Sequence, residues 1–237
     1  MKAIILAAGR SSRLYPITLK HPKCLLLFGE KTLIEHQISW LNMCGIKDIL
    51  IVNGYLNHMI EEKLGSKARY RFYENFAETN NLFTLNSVID ELNEDLVILF
   101  SDVLLSVNLL EKCINSSKDF CLIVETYNIS DSTMFVTIKN GSIYDIGSHI
   151  SLNESDGNFI GVAKFSKNGA KILANKIQIM ASNKDYKQDY YTRALFEIAK
   201  ERKRVDYIEV DKDAAWMEID LKEEYEEALA QDFSIYY

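Results

Sequence analysis

The sequence predicts an α/β fold, a doubly wound, Rossmann-like mixed sheet, mostly parallel and flanked by helices. Three observations lead there. Short apolar runs alternate with helical stretches through the amino-terminal part of the chain. Both prolines, Pro16 and Pro22, fall in one loop after the first run, leaving the rest free to be regular. Finally, 48% hydrophobic and 11% aromatic residues supply a proper core and exclude a disordered chain.

The elements follow in order. Residues 4–7 are wholly apolar, as in a strand buried on both faces. A polar stretch over 9–23 follows. Thr32 and Glu35 have capping-box spacing and open a helix that runs through Ile38 and Leu41 to Gly45. Residues 49–52 form the second strand, then a helix ends at Gly65, and 69–73 form the third strand. Apolar spacing from Leu82 to Leu92 predicts one helix, opened by Thr79, Asn80 and Asn81. Residues 96–100 are a strand ending at Ser101-Asp102. The rhythm then changes. Strands over 121–126, 134–138, 143–146 and 159–165 include a hairpin turn at Asn140-Gly141. Helices over 167–180 and 188–200, short strands over 205–210 and 216–219, and an acidic helix complete the chain. No repeat or linker divides it. The 237 residues read as one domain, 1–105 the nucleotide-binding part and 106–237 the acceptor-binding, sheet-extending part.

Net charge is −7 and the basic residues are scattered, which argues against nucleic acid or an anionic membrane as partner. The apolar start is cut short at Gly9, so it reads as a strand and not as a signal peptide. No segment is long enough to span a bilayer, and a cytoplasmic location is expected. Cys24, Cys44, Cys113 and Cys121 share no metal spacing, and neither do His21, His36, His58 and His149. The aromatic end, Phe233 and Ile235 to Tyr237, is expected to dock on the domain or on a second subunit, leaving a homodimer open.

Several groups could carry chemistry. Leu6, Ala7, Ala8, Gly9, Arg10, Ser11, Ser12 and Arg13 form a small-residue loop leaving the first strand, where backbone amides can approach a polyphosphate. Arg13 and Lys23 would add charge. The loop lacks the Walker and dinucleotide glycine patterns, and by glycine count alone it reads equally as an ordinary strand-to-helix connection. Asp102 follows a central strand, where an Asp is also a common turn former. Asn80 and Asn81 are either helix caps or nucleotide contacts. Asp189, Tyr190, Tyr191, Trp216 and Glu218 could form an acceptor site with an aromatic cage, or could be packing residues.

The segment Leu6 to Leu14, with Pro16, Thr18, Pro22 and Lys23, resembles the signature of nucleoside-triphosphate transferases that act on sugar phosphates and related alcohol phosphates. One departure is Ser11, where that family usually has its second glycine, and an altered loop conformation is expected there. The resemblance implies triphosphate binding by the loop and Arg13, and a catalytic role for Lys23 at the phosphate oxygens. It also pairs Asp102 with Asp220 of the segment Trp216-Met217-Glu218-Ile219-Asp220 as ligands for Mg2+, with Glu218 a weaker candidate. The segment from Tyr73 to Leu85 resembles the cytidylyltransferase branch that serves bacterial surface polysaccharides. That branch, of the choline-phosphate type, implies CTP as donor and a small phosphorylated acceptor. A further resemblance through nearly the whole chain, to the capsule phosphoramidate members of the branch, implies L-glutamine phosphate first, with phosphocholine or aminoethylphosphonate as alternatives. A sugar 1-phosphate with UTP or dTTP is the rival within the chemistry. A catalytically inactive nucleotide-binding regulatory domain is the rival outside it, disfavoured because Lys23, Asp102 and Asp220 are all present.

Overall fold

The computed structural model describes residues 1–130 and 134–237. β1 (Lys2–Ala7) leads into the proline-bearing loop, the hairpin β2 (Leu27–Phe28) and β3 (Lys31–Thr32), and α1 (Leu33–Met43). Then come β4 (Asp48–Asn53), α2 (Asn57–Leu64), β5 (Arg69–Phe72), α3 (Asn81–Asn86), β6 (Leu96–Phe100), β7 (Val103–Leu105) and α4 (Val107–Ile114). The second part contains β8 (Phe120–Glu125), β9 (Phe135–Lys139), β10 (Ser142–Gly147), β11 (Gly157–Phe165), α5 (Lys167–Ala181) and α6 (Thr192–Lys200). It closes with β12 (Asp206–Glu209), β13 (Trp216–Glu218) and α7 (Lys222–Leu229).

Among the described residues, nine strands form one mixed sheet along the path β10-β9-β11-β6-β1-β4-β5, with β8 and β12 branching from β11. The strands β6, β1, β4 and β5 are parallel. They are buried on both faces where they are central, which is why β1 and β6 carry no alternation. Strand order reverses between β1 and β6, because β4 follows β1 on one side and β6 returns to its other side. Open α/β sheets bind ligands in the crevice at such a reversal, beyond the carboxyl ends of the strands. Antiparallel β11 then extends the sheet past β6. The doubly wound mixed sheet expected from the sequence is the one observed.

The capping box of α1 forms, with the Thr32 amide donating to Glu35 at 3.1 Å. The aromatic end docks on the domain: Tyr236 is buried, and the Tyr237 hydroxyl lies 2.9 Å from Nδ1 of buried His36. No helix of the described residues is long and apolar enough to cross a membrane.

Two helices differ from expectation. The helix expected to reach Leu92 ends at Asn86. The Ser87 hydroxyl donates to the Thr84 carbonyl at 2.7 Å, offering the backbone a local alternative, and a tighter 3-10 turn over Ile89–Glu91 follows. The helix expected from residue 188 begins only at Thr192. The backbone before it is engaged by the start of α3: the Asn80 amide donates to Lys187 O at 2.7 Å, and the Tyr191 amide donates to Asn81 Oδ1 at 2.7 Å.

The turn after α3 delivers Glu91 to the amino ends of β1 and β5, opposite the crevice. Its carboxylate accepts from Lys2 Nζ at 2.8 Å and from both terminal nitrogens of Arg69 at 2.7 and 3.1 Å. The Arg69 bonds, with Lys2 beside them, outweigh burial and hold the Glu91 carboxyl down to about 2. A depressed carboxylate contributes stability above its unfolded pKa and loses it as pH falls through the folded value. Glu91→Gln is therefore expected to cost on the order of 1–2 kcal/mol at neutral pH, as charge-assisted bonds do. In urea melts the difference from native should shrink as the pH is lowered from about 5 toward 2. Activity at neutral pH should be unaffected.

Candidate active site

Three pieces of chain meet at the carboxyl ends of β1 and β6. The first is the loop after β1. Ala8 O accepts from the Tyr55 amide at 3.0 Å, and a side chain at Gly54 would meet that oxygen at 2.8 Å, so glycine permits this close approach. Ser11 stands in the left-handed region (φ 51, ψ 48), a conformation glycine adopts freely. The serine thus takes a turn that glycine adopts freely. What holds it is Thr18, fully buried, whose hydroxyl donates to the Ser11 carbonyl at 2.8 Å.

The second piece is Pro22-Lys23, which turns Lys23 inward. Lys23 Nζ lies 2.8 Å from Asp102 Oδ2 and 2.7 Å from Asp220 Oδ1, with only 8% of the side chain exposed. Arg13, half-exposed, reaches the other Asp220 oxygen at 2.8 Å. Burial disfavours the Lys23 charge, but Asp102 and Asp220 more than offset this and raise its pKa above the ordinary lysine value.

The third piece joins the two acids, which lie far apart in sequence. Strands β7 and β13 pair antiparallel, setting Glu218 opposite Val103, and the Ile219 amide donates to Asp102 O at 2.9 Å. This ladder of three residues a side brings one carboxylate oxygen of each of Asp102, Glu218 and Asp220 within 4.8 Å of one another. Burial first, then repulsion from Asp102 and Asp220, pushes the Glu218 carboxyl up to about 8, with Lys23 pulling the other way.

A buried oxygen of Asp102, Oδ1, has no hydrogen-bond partner. An unanswered oxygen within three clustered carboxylates is a donor set suited to a hard divalent cation, with phosphate and water to complete its shell.

The cleft is lined by Leu6, Ala7, Ala8, Gly9, Ser11, Arg13 and Lys23, by Asn80 and Asn81, and by Asp102, Tyr190, Glu218 and Asp220. Arg10 and Ser12 do not line it; the Arg10 guanidinium lies over the Phe76 ring at 5.8 Å. Asn80 and Asn81 also serve the cap, Asn80 Oδ1 accepting from the Asn81 amide at 2.8 Å. Of the two readings left open for Tyr190, Tyr191 and Trp216, the aromatic cage is not assembled. Tyr191 is fully buried and packs edge-on against Phe100, because its backbone is drawn under α3. Asp189 lies outside the cleft lining, its carbonyl accepting from the Leu82 amide at 3.2 Å. Trp216 donates its indole N–H to buried Glu125 at 2.9 Å and lines an adjoining cavity that shares Glu218. Phe76, Thr79 and Thr84 line the cleft without having been singled out as candidates. Gln37 does not line the cleft but donates to the carbonyls of Phe100 and Val103 on either side of Asp102; a polar residue on the apolar stripe of α1 is the signal that could have marked it.

Residues 2–219 match the nucleotidyl transferase family. The CTP:phosphoglutamine cytidylyltransferase of Campylobacter jejuni is 28% identical over 95% of this chain and 98% of its own. The choline-phosphate cytidylyltransferase of Streptococcus pneumoniae is 45% identical over 41% of this chain and 43% of its own. The solved structure of the CTP:phosphocholine cytidylyltransferase from Streptococcus pneumoniae superposes with a TM-score of 0.82 at 27% identity, covering 96% of this chain and 97% of that one. A match spanning nearly the whole chain, over a doubly wound sheet with its acids and basic loop at the strand reversal, makes this protein a member of the nucleotidyl transferase family.

Proposed function

We propose that the chain is a CTP-dependent cytidylyltransferase that joins CMP to the phosphate of a small phosphorylated acceptor, L-glutamine phosphate first. The observation that carries the chemistry is the Lys23 ammonium held between Asp102 and Asp220 at the mouth of the Ala8-to-Arg13 loop. CTP and glutamine phosphate are supported by the full-length similarity to the Campylobacter enzyme. Phosphocholine is the second reading, favoured by the higher identity to the pneumococcal enzyme over a shorter stretch. The enzyme would work in the cytoplasm as one catalytic unit, its acids contributed from both sides of residue 105, and its product would serve capsule polysaccharide assembly.

In this reading an acceptor phosphate oxygen attacks the α-phosphorus of CTP in line, the bond to the β-phosphate oxygen breaks, and pyrophosphate leaves. The attacking phosphate is already ionised, so no base has to remove a proton. The residues therefore act by positioning and by neutralising charge. Amides of Ala8, Gly9 and Ser11 face the triphosphate, and Arg13 exchanges its bond to Asp220 for the leaving pyrophosphate. Lys23 stabilises the charge that develops at the α-phosphate. Asp102 and Asp220, with Glu218 beside them, would hold Mg2+, which supplies Lewis-acid neutralisation when bound.

The test is pyrophosphate release with Mg2+, each of CTP, UTP, ATP and GTP, and a panel of acceptors. The panel is glutamine phosphate, phosphocholine, aminoethylphosphonate and glucose 1-phosphate. Release with CTP and glutamine phosphate is expected. Release with CTP and phosphocholine alone would favour the second reading, and release only with a sugar phosphate and another nucleotide would overturn both.

A further inference from the structure

Gln37 lies on α1 and is fully buried. Its amide nitrogen donates twice, to Phe100 O at 2.8 Å and to Val103 O at 2.9 Å. Those carbonyls are the last of β6 and the first of β7, and the turn between them is Ser101-Asp102. Because both partners are acceptors, only the nitrogen can face them, which fixes the orientation of the amide. The other end of the amide, Oε1, is buried with no hydrogen-bond partner. A residue serving packing alone would be better as leucine or methionine, which bury no unpaired oxygen. The unpaired oxygen therefore accompanies a specific use of the two N–H groups.

That use is to close the turn that aims Asp102. The capping box at Thr32 and Glu35 fixes where α1 begins, and α1 packs Ile34, Ile38 and Leu41 into the core, so the amide is carried on a rigid support. Asp102 is then held from two directions: Gln37 grips the carbonyls either side of it, and the Ile219 amide grips its own carbonyl at 2.9 Å. Its Oδ2 is left facing Lys23, and its Oδ1 is left open.

We infer that Gln37 is a positioning residue that sets the Asp102 carboxylate for divalent-cation binding and for its pairing with Lys23. This rests on the reading of Asp102 and Asp220 as cation ligands. Residues that orient ligand side chains typically govern affinity or activity by about 10- to 100-fold when replaced. Gln37→Met keeps volume and removes both donors. Mn2+ binding, followed by electron paramagnetic resonance with CTP present and acceptor absent, should weaken by about tenfold or more in this variant. In turnover, kcat should fall by a similar factor while KM for CTP changes little. Ile38→Ala, one position along the same helix, provides a destabilised control and should bind Mn2+ within about twofold of native. Should Gln37→Met fail to fold, Gln37→Asn, with the amide drawn back by one methylene, should show the same loss of Mn2+ affinity. Native-like Mn2+ binding and kcat in the folded variant would overturn the inference alone. Native protein that turns over CTP but binds no Mn2+ would overturn the cation reading, and this inference with it.

Discussion

Lys23→Ala enzyme is expected to turn over at least about a hundredfold more slowly than native, the scale of losing one preorganised donor to a developing oxyanion. The reason is the environment of the ammonium. It sits almost out of water, in two charge-assisted bonds of 2.8 and 2.7 Å, so it needs no reorganisation before it meets a phosphate oxygen. The loss should appear in kcat at saturating CTP and acceptor, because the triphosphate keeps the loop amides and Arg13. Stability should fall as well, since Asp102 and Asp220 lose their buried counter-charge. Added Mg2+ is expected to restore part of the lost melting temperature without restoring kcat. Near-native turnover would remove Lys23 from the chemistry.

Asp102→Asn is expected to separate activity from folding more cleanly. The amide keeps the size of the side chain and an oxygen for Lys23, while the charge that a cation needs is gone. Turnover should drop by roughly 10²- to 10³-fold, and the Mg2+ concentration for half-maximal rate should rise at least about tenfold. Melting temperature should change far less than in Lys23→Ala, because Lys23 retains Asp220 at 2.7 Å. A Mg2+ dependence like that of native enzyme would place the cation elsewhere.

Much of this arrangement is legible in the residues, and what is not has a physical reason. The all-apolar runs of β1, β4 and β6 announce a parallel sheet because burial on both faces removes alternation. Asp102 is legible as an acid just past such a strand, and Asp220 only through its resemblance to a known segment. The β7–β13 ladder that brings them together is three residues long on each side, too short to show a period. Tyr191 illustrates a different limit. A tyrosine before a helix has the same local character whether it faces a ligand or the core. Its burial follows from backbone bonds between residues 187–191 and the start of α3, which no local pattern encodes. Ser11 shows a related limit. The sequence marks it only as a serine where glycine is usual, and the buried Thr18 that supports its left-handed turn is a contact seven residues away that no local pattern announces.

Transfer of a cytidylyl group by the Lys23, Asp102 and Asp220 site is tested most directly by following isotope from CTP labelled separately at the α- and γ-phosphates, with glutamine phosphate and Mg2+. The expected result is α-label in a CDP-linked product and γ-label in pyrophosphate, both slowed in step by roughly 10²- to 10³-fold in Asp102→Asn. Appearance of γ-label in orthophosphate or on the acceptor, with CDP as the nucleotide product, would contradict it.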